Sequence, residues 1–265
     1  MSIKMIVSDL DGTLFNSDKK GYTVSKELIK EIKEFQERGN IFTIATGRPI
    51  ETSLDVAKTV GINAPYIAYN GAKIVNSDGK EIYSEDFSLN IWIPFLEEVQ
   101  KMGGSVIFYY DGQVFCLKHN ERISAYEKKE VATCNEAGKD LLKQELVISK
   151  ILIIGNVEIF KKIFNDLDSS LRDEFRYVIS EDDYFEIVKN NVSKGNALKK
   201  LKEYLKLKDN EVATIGNHMN DKELLEEGHV GAAVFNAVDG LKGIADVVTK
   251  GEYENGVIEL IRKYK

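Results

Sequence analysis

Two carboxylates one residue apart form the first region of this sequence that could carry out chemistry. Asp9 and Asp11 lie in the segment 9–14, directly after the apolar run 4–8. A short apolar run of this kind is typical of a buried strand, and ligands of open α/β sheets bind just beyond the carboxyl ends of the strands. The two acids can therefore converge on one point. A helix cap or a solvated turn is the alternative for such an Asp-Gly sequence, whereas an EF-hand is excluded because Leu14 stands where that loop requires glycine.

Three later segments place polar side chains where the chain leaves a predicted strand or enters a predicted helix. They are Ala45–Pro49, Val192–Leu198 and Gly216–Asp221. The first and third follow short apolar runs, and the second precedes an apolar pattern with helical spacing. We therefore expect them to lie with the Asp9 loop at one edge of a sheet.

A cluster of acids at that edge is useful for phosphate chemistry only if cations accompany it. Two unit charges about 4 Å apart interact by roughly 1 kcal/mol in water and by about 4 kcal/mol at an effective dielectric constant of 20. Carboxylates alone would therefore repel a phosphate dianion. Mg²⁺ prefers oxygen ligands and is often bound by one or two carboxylates together with a substrate phosphate. With Mg²⁺ and Lys194 present, the three charges of Asp9, Asp11 and Asp221 would be balanced.

The four segments, in this order, resemble the motifs of the haloacid dehalogenase-like (HAD) phosphatase superfamily. The segment 9–14 is similar to the first motif, Thr46 to the second, Lys194 to the third and Gly216–Asp221 to the fourth. The match spans nearly the whole chain. The insertion between the second and third motifs resembles that of the Cof-type branch, whose members carry a type IIB cap.

The resemblance implies a catalytic role for both acids of the first motif. Asp9 would attack phosphorus and form an acyl phosphate, the covalent strategy that carboxylates use. Asp11 would protonate the leaving alcohol and later take a proton from the hydrolytic water. An aspartate at this second position favours ester hydrolysis, because a leaving alkoxide needs an acid.

The resemblance also implies which residues would hold the metal and the phosphate. The expected metal ligands are Asp9, the backbone carbonyl of Asp11, Asn217, and Asp221 directly or through water. The expected phosphate-binding residues are Thr46, Gly47, Arg48, Lys194 and Asn220. The family more often has aspartate where Asn217 stands, and a neutral ligand should bind the metal less tightly.

Several other polar residues have two interpretations. Arg48 would clamp the substrate phosphate or the closed cap, or it would form a structural ion pair. Asn70 and the glycine after it would present backbone N–H groups to a substrate or form a plain turn. His218 is interpreted as a loop histidine, because the family gives its position no fixed role. Glu186 lies near the end of the insertion and is a candidate for contact with the substrate.

The hydrophobic periodicity predicts an α/β core interrupted by an α+β insertion. Apolar runs alternate with helical patterns in the order β-α-β-α-β at the start of the chain, and the alternation returns near its end, which predicts a doubly wound parallel sheet of the Rossmann-like type. We expect the core to comprise residues 1–83 and 188–265. Residues 84–187 would form the cap, with a hairpin signal at Asp111 and Gly112.

The composition is typical of a globular protein and limits its partners. The chain has 265 residues, is 43% hydrophobic and 30% charged, and carries a net charge of −7. These values exclude a disordered chain and argue against a nucleic-acid partner, which usually meets a basic surface. No apolar run approaches membrane-spanning length, and the N-terminus lacks the pattern of a signal peptide. Cys116 and Cys134 lack metal-ligand spacing, so we expect reduced thiols in a cytoplasmic protein.

The function expected from these features is a magnesium-dependent phosphatase of small molecules. Sugar phosphates are the first candidates for the substrate, and nucleotide-like or cofactor phosphates follow. One alternative is a phosphomutase with this style of core and cap. Another is a non-catalytic phosphometabolite sensor, which the neutral Asn217 suggests. The expected partner is a small phosphorylated metabolite, and neither nucleic acid nor a membrane; the oligomeric state stays open.

Overall fold

The structure, a computed structural model, describes residues 2–16 and 23–265. The strands are β1 Met5–Ser8, β2 Ile41–Ile44, β3 Tyr66–Ala68, β4 Lys73–Val75, β5 Glu81–Ser84, β6 Phe87–Ser88, β7 Ser105–Tyr110, β8 Gln113–Cys116, β9 Cys134–Glu136, β10 Val147–Ile148, β11 Ile151–Ile154, β12 Phe175–Glu181, β13 Tyr184–Lys189, β14 Val212–Gly216, β15 Val230–Ala233 and β16 Val247–Val248. The helices are α1 Lys26–Glu37, α2 Ile50–Val60, α3 Ile93–Lys101, α4 Glu121–Glu130, α5 Lys139–Leu142, α6 Val157–Asn165, α7 Ser169–Glu174, α8 Lys194–Leu205, α9 Lys222–Glu227, α10 Asp239–Lys242 and α11 Glu254–Tyr264. Short 3₁₀ helices lie at Tyr69–Gly71, Leu89–Trp92, Asp209–Glu211 and Met219–Asp221.

The chain divides into two compact units. The first comprises residues 1–48, 53–83 and 193–265, and the second comprises residues 49–52 and 84–192.

A parallel five-stranded sheet forms the centre of the first unit. Its strand order is β16-β15-β14-β1-β2, and every pairing within it is parallel. All four residues of β1 are buried, as expected for a central strand of a parallel sheet whose two faces are covered by crossover helices, and the run Met5–Ser8 is therefore almost entirely apolar. The predicted α/β fold with a parallel sheet is confirmed.

Helix α1 shows how the local sequence sets an element of this unit. Ser25 caps its start by accepting the backbone N–H of Leu28 at 3.1 Å. Leu28, Ile32 and Phe35 recur at helical spacing and are buried. The chain then turns at Gly39, whose φ of +83° lies in the left-handed region that glycine adopts readily after a helix end.

The register of the sheet brings the candidate residues to one edge. Ser8, the last residue of β1, is level with Ile215 of β14 and with Ile44 of β2. The residues that follow these three positions therefore leave the sheet side by side. They are Asp9, Gly216 with Asn217, and Ala45 with Thr46.

The second unit is built on a six-stranded sheet of order β12-β13-β11-β7-β8-β9. Its pairings are antiparallel except for that of β8 with β9. One face carries an aromatic core in which Trp92 stacks on Phe164 with ring centroids 6.1 Å apart. The predicted hairpin between β7 and β8 is present, and Asp111 and Gly112 both have positive φ values, 49° and 68°, as a type I′ turn requires.

Both cysteines are free and buried in the second unit. Burial raises the pKa of Cys116 to about 11 and that of Cys134 to about 12, so both thiols are neutral at physiological pH. In the ranges 2–16 and 23–265, the structure contains no helix with the length and apolar character needed to span a bilayer.

Candidate active site

The loop after β1 folds around a single backbone carbonyl. Leu10 accepts hydrogen bonds through its carbonyl from the backbone N–H groups of Thr13, Leu14 and Phe15, at 3.2, 2.8 and 2.9 Å. Gly12 has a φ of +82°, and a Cβ atom there would lie 2.2 Å from the Asn217 side chain. Only glycine meets both conditions, so this residue lets the loop pack closely against the loop that follows β14.

The centre of the site is a buried lysine between two aspartates. Lys194 Nζ donates to Asp9 Oδ1 at 2.7 Å and to Asp221 Oδ1 at 2.6 Å. All three side chains are at most 7% exposed. The structure thus brings together the first, third and fourth motif residues from positions up to 212 residues apart in sequence.

The shared burial changes the proton affinity of these groups. Burial and the nearby Asp221 carboxylate raise the pKa of Asp9 to about 7, although Lys194 opposes the change. Burial alone would lower the pKa of Lys194, but attraction to Asp221 and Asp9 outweighs it and holds that pKa above its ordinary value. The lysine therefore stays charged, and the site carries a net negative charge when both acids are ionised. That excess of negative charge favours a further cation.

Lys194 owes its position to the start of helix α8. Ser193 caps the helix by accepting the Asn196 backbone N–H at 3.1 Å, which makes Lys194 the first helical residue. Gly71 lies so close that a Cβ atom there would be 2.1 Å from the Ser193 carbonyl oxygen. A Cβ on Gly195 would be 2.3 Å from the Glu223 carbonyl oxygen, so the helix start is packed on two sides.

Asp221 also organises the loop that follows β14. Its Oδ2 atom accepts the backbone N–H groups of Asn217 and His218, at 2.9 and 3.2 Å, while its Oδ1 atom faces Lys194. A Cβ on Gly216 would lie 2.5 Å from the same carboxylate. Asp221 therefore couples the shape of this loop to the position of the lysine.

The Asn217 side chain reaches the loop at Asp9. One terminal atom of its amide lies 2.9 Å from the Thr13 hydroxyl oxygen. The same position is 3.0 Å from Asp9 Oδ2 and 2.9 Å from the Asp11 backbone carbonyl oxygen. The Thr13 hydroxyl also approaches Asp9 Oδ2, at 3.1 Å. A carboxylate oxygen, a backbone carbonyl oxygen and one end of the amide therefore converge here, and an NH₂ group at that end would donate to both oxygens.

With the amide oxygen of Asn217 turned to this end, the three atoms form a set that can hold a magnesium ion. Adjacent ligands of an octahedral Mg²⁺ ion, bound at about 2.0 to 2.1 Å, lie about 2.9 Å from one another. The separations of the Asn217 position from Asp9 Oδ2 and from the Asp11 carbonyl, 3.0 and 2.9 Å, are compatible with that edge length, as they are with N–H···O hydrogen bonds. Within the described residues, no three His, Cys, Asp or Glu side chains form a metal-binding group. The two neutral oxygens would therefore have to take part.

Asp11 directs its side chain away from that oxygen cluster. Its carboxylate forms two hydrogen bonds with Arg48, from Nε at 2.7 Å and from Nη2 at 2.6 Å. The Arg48 side chain is only 4% exposed, whereas that of Asp11 is 37% exposed. Of the two interpretations of Arg48, the structure shows the ion pair, and it orients the more exposed of the two loop acids.

Thr46 and its neighbours form the side of the site next to β2. The Thr46 hydroxyl oxygen accepts the Arg48 backbone N–H at 3.0 Å, which leaves its proton available as a donor. Gly47 packs against the buried Asn70, because a Cβ there would be 3.0 Å from the Asn70 amide. Asn220 donates to that same amide oxygen at 3.3 Å. The Asn70 amide therefore connects Gly47 of the second motif with Asn220 of the fourth.

Asn236 is a site residue that the sequence does not reveal. Its amide nitrogen donates to the Gly12 carbonyl at 2.8 Å, and its Oδ1 atom accepts the Tyr253 backbone N–H at 2.9 Å. It thereby ties the loop at Asp9 to a segment more than 200 residues away. Its position in a loop with no motif spacing leaves nothing for sequence reasoning to detect.

Glu186, the candidate for substrate contact, lies in the second unit and is 2% exposed. Its Oε1 atom accepts Lys150 Nζ at 3.1 Å and the Ser180 hydroxyl at 2.8 Å. The structure therefore places Glu186 in a buried ion pair on the sheet of that unit.

The geometry of the first unit agrees with what sequence comparison finds. The family model for haloacid dehalogenase-like hydrolases matches residues 6–261. The chain belongs to this family. The resemblance derived from the motifs, including the Cof-type branch, is confirmed, and the protein is a hydrolase of this family.

Individual relatives of this hydrolase cover its whole length. It is 27% identical to the phosphatase YwpJ of Bacillus subtilis, with 98% of this chain and 99% of the relative aligned. It is 29% identical to the phosphoglycolate phosphatase of Methanopyrus kandleri, with 98% and 96% aligned. A haloacid dehalogenase-like hydrolase from Bacteroides thetaiotaomicron has the same fold, with a TM-score of 0.85, 26% identity, and 99% and 100% of the two chains covered.

Proposed function

We propose that this hydrolase is a magnesium-dependent phosphatase that hydrolyses small phosphate monoesters through a phosphoryl group on Asp9. The observation that carries the proposal is the buried Lys194, whose amine contacts both Asp9 and Asp221. A cation held beside a carboxylate offsets the charge of both the nucleophile and an incoming phosphate. Phosphatase relatives that align over nearly the whole chain support the same reaction class.

In the first chemical step, a carboxylate oxygen of Asp9 forms a bond to phosphorus while the bond from phosphorus to the ester oxygen breaks. The electron pair of that bond leaves with the ester oxygen, which takes a proton from Asp11 and departs as an alcohol. In the second step, water attacks the phosphorus of the acyl phosphate and gives its proton to Asp11. Inorganic phosphate leaves and the Asp9 carboxylate returns, so all atoms and charges balance.

Arg48 sets the position from which Asp11 acts. Its two hydrogen bonds hold the Asp11 carboxylate in one orientation at the more exposed side of the loop. The first step needs a proton on Asp11, so one of these bonds must give way when the acid acts. We propose that Arg48 is a positioning residue for the acid and base steps.

Lys194, Thr46 and Asn220 would hold the phosphate. Lys194 supplies a buried positive charge, and the Thr46 hydroxyl has a proton to donate. Asn220 would keep its side of the pocket in place through its contact with Asn70. Gly47 has no side chain to block the phosphate, and the side on which a Cβ atom would project is filled by the Asn70 amide.

Asp9, the Asp11 carbonyl and Asn217 would hold Mg²⁺, and Asp221 would contribute through water or by orienting Lys194. When bound, the ion would neutralise charge on the transferring phosphoryl group. The convergence of these three groups on one point supports this assignment.

We further propose that residues 84–187 form a cap that selects the substrate, with sugar phosphates as its first candidates. The phosphatase relative from Methanopyrus kandleri, named for phosphoglycolate, supports a small phosphorylated metabolite. A phosphatase assay with a panel of phosphate esters, with and without Mg²⁺, tests the reaction class and the substrate together.

The decisive comparison in that assay is Asp9→Asn against Asp55→Asn. Both changes replace an aspartate by its isosteric amide, but the Asp55 side chain is 98% exposed on α2. We expect Asp9→Asn to abolish turnover and Asp55→Asn to leave it unchanged. Wild-type turnover by Asp9→Asn would exclude the proposed nucleophile, and phosphate-ester binding without any turnover by the wild type would favour the sensor.

A further inference from the structure

The Asn217 amide places one of its two terminal atoms against a group of hydrogen-bond acceptors. This terminal position lies 3.0 Å from Asp9 Oδ2 and 2.9 Å from the Asp11 carbonyl oxygen. An oxygen atom at this position would be repelled by the Asp9 carboxylate unless a cation lay among the three oxygens. The orientation with oxygen at this position is therefore favourable only with a bound positive ion.

The opposite orientation suits the site when no metal is bound. Turning the Asn217 amide by about 180° places its NH₂ group where Oδ1 was and leaves the shape of the side chain unchanged. The nitrogen can then donate to Asp9 Oδ2 at 3.0 Å and to the Asp11 carbonyl at 2.9 Å. A third acceptor, Thr13 Oγ1, lies 2.9 Å away. An aspartate at this position has no N–H group and cannot do this.

Close packing limits the side chain to these two orientations. A Cβ atom on Gly12 would come within 2.2 to 3.2 Å of the Asn217 amide atoms, so the amide lies flat against the glycine backbone. The Asn217 backbone N–H is fixed by Asp221 Oδ2 at 2.9 Å. The amide can turn about its own axis, but it cannot swing away from the oxygens.

We propose that Asn217 is a two-state metal ligand, whose NH₂ group takes the place of the cation in the metal-free site and whose oxygen binds Mg²⁺ after the amide turns over. This inference rests on the proposed function, because it requires Mg²⁺ at the site. The metal-free loop is then held in its binding shape by hydrogen bonds. Mg²⁺ must displace those bonds and finds a neutral ligand, so it binds less tightly than it would with aspartate at position 217.

The first test follows the Asn217 side-chain amide of the wild-type protein by NMR during titration with MgCl₂, while calorimetry measures binding. Without metal, both amide protons are held by buried acceptors and should exchange slowly with water. At saturation with Mg²⁺ we expect a new signal position and exchange at least about tenfold faster. An unchanged signal at saturation, or no Mg²⁺ binding by calorimetry, would overturn the proposal.

The second test compares Asn217→Asp with Met219→Asp. Met219 is an exposed residue of the same loop, so its variant adds the same charge without an oxygen at the cluster. We expect Asn217→Asp to bind Mg²⁺ about tenfold to a hundredfold more tightly, because a full charge replaces a neutral ligand. We also expect its metal-free form to melt at least about 5 °C lower, because two carboxylates then face each other. Met219→Asp should change neither quantity.

Equal metal affinity in Asn217→Asp and the wild type, or a metal-free variant as stable as the wild type, would contradict the two-state ligand. An Asn217→Asp variant that folds only in the presence of Mg²⁺ would support the two-state ligand. The NMR titration of the wild-type protein tests the proposal even if the variant does not fold. None of these measurements uses turnover. If the amide responds to Mg²⁺ but no phosphate ester is hydrolysed, the proposed function fails while the inference stands.

Discussion

Replacing Lys194 by methionine removes the only charge that separates the Asp9 and Asp221 side chains in the described contacts. The change keeps the length of the side chain and its apolar stem. Both acids then lie buried without the amine that each contacts within 2.7 Å. We expect the metal-free protein to lose stability as well as activity.

The size of the loss follows from the geometry. At an effective dielectric constant of about 20, each attraction at 2.6 or 2.7 Å amounts to roughly 6 kcal/mol before desolvation is subtracted. Burial of the three ions offsets most of this attraction, and removal of one partner from a buried pair costs about 3 to 5 kcal/mol. For a chain of this size, that loss corresponds to a decrease in melting temperature of about 6 to 20 °C. Turnover should fall by at least about a hundredfold.

Lys202→Met is the matched control, because it alters the same helix and the same residue type. The Lys202 side chain is 4% exposed and also contacts two acids, Asp209 at 2.8 Å and Glu227 at 2.6 Å. Those acids are 92% and 30% exposed, so water can solvate them when the amine is lost. We expect a loss of about 1 kcal/mol or less. Urea unfolding without metal measures both variants, and equal stability of the two would refute the argument for a buried charge cluster.

Three further outcomes follow from single features of the structure. Gly12→Ala should lower the free energy of unfolding by at least about 1 kcal/mol more than Gly39→Ala does. Both positions have φ near +82°, but only a Cβ atom on residue 12 would lie against a neighbouring side chain. Chemical unfolding of the two variants measures the difference, and equal losses would contradict the prediction. Arg48→Lys keeps the charge but loses the two hydrogen bonds to the Asp11 carboxylate. Steady-state kinetics should therefore show a fall in kcat of about tenfold with a smaller change in KM, and an unchanged kcat would count against a positioning role. Cys116 and Cys134 should react with iodoacetamide at pH 8.5 at least about a hundredfold more slowly in the folded protein than in urea. Rapid alkylation of the folded protein would refute the burial argument. Because the pKa values of both thiols are raised in the folded state, their contribution to stability should decrease as the pH rises above 9, where the thiols of the unfolded chain ionise.

Much of the core could be predicted because its signals are local. The run Met5–Ser8 is apolar since β1 is covered on both faces, and the spacing of Leu28, Ile32 and Phe35 follows the buried face of α1. The grouping of Asp9 with Asp221 follows from parallel strands whose carboxyl ends share one edge. These inferences need only periodicity and the geometry of a parallel sheet.

The contacts that complete the site could not be predicted in this way. The choice between a phosphate clamp and an ion pair for Arg48 depends on where its guanidinium group points, and either fits the same sequence. Asn236 reaches Gly12 across 224 residues through a loop with no periodic pattern. The surroundings of Asn217 depend on distances of about 3 Å between the loops that follow β1 and β14, which no spacing in the sequence encodes.

The helices and strands of the second unit were predicted only in part for a related reason. Helix α4 has few apolar residues, and only Ile123, Tyr126 and Glu130 of its residues are buried. Strand β9 is three residues long and joins the sheet by a parallel pairing with β8. Such elements depend on tertiary packing more than on their own sequence pattern.

The central claim is that a carboxylate oxygen of Asp9 attacks phosphorus, and trapping the phosphorylated protein tests it most directly. The enzyme with Mg²⁺ would be mixed with a radiolabelled substrate from the ester panel, quenched in acid within milliseconds, digested and sequenced by mass spectrometry. We predict a base-labile phosphoryl group on Asp9 and none in Asp9→Asn. A phosphoryl group on any other residue would contradict the account.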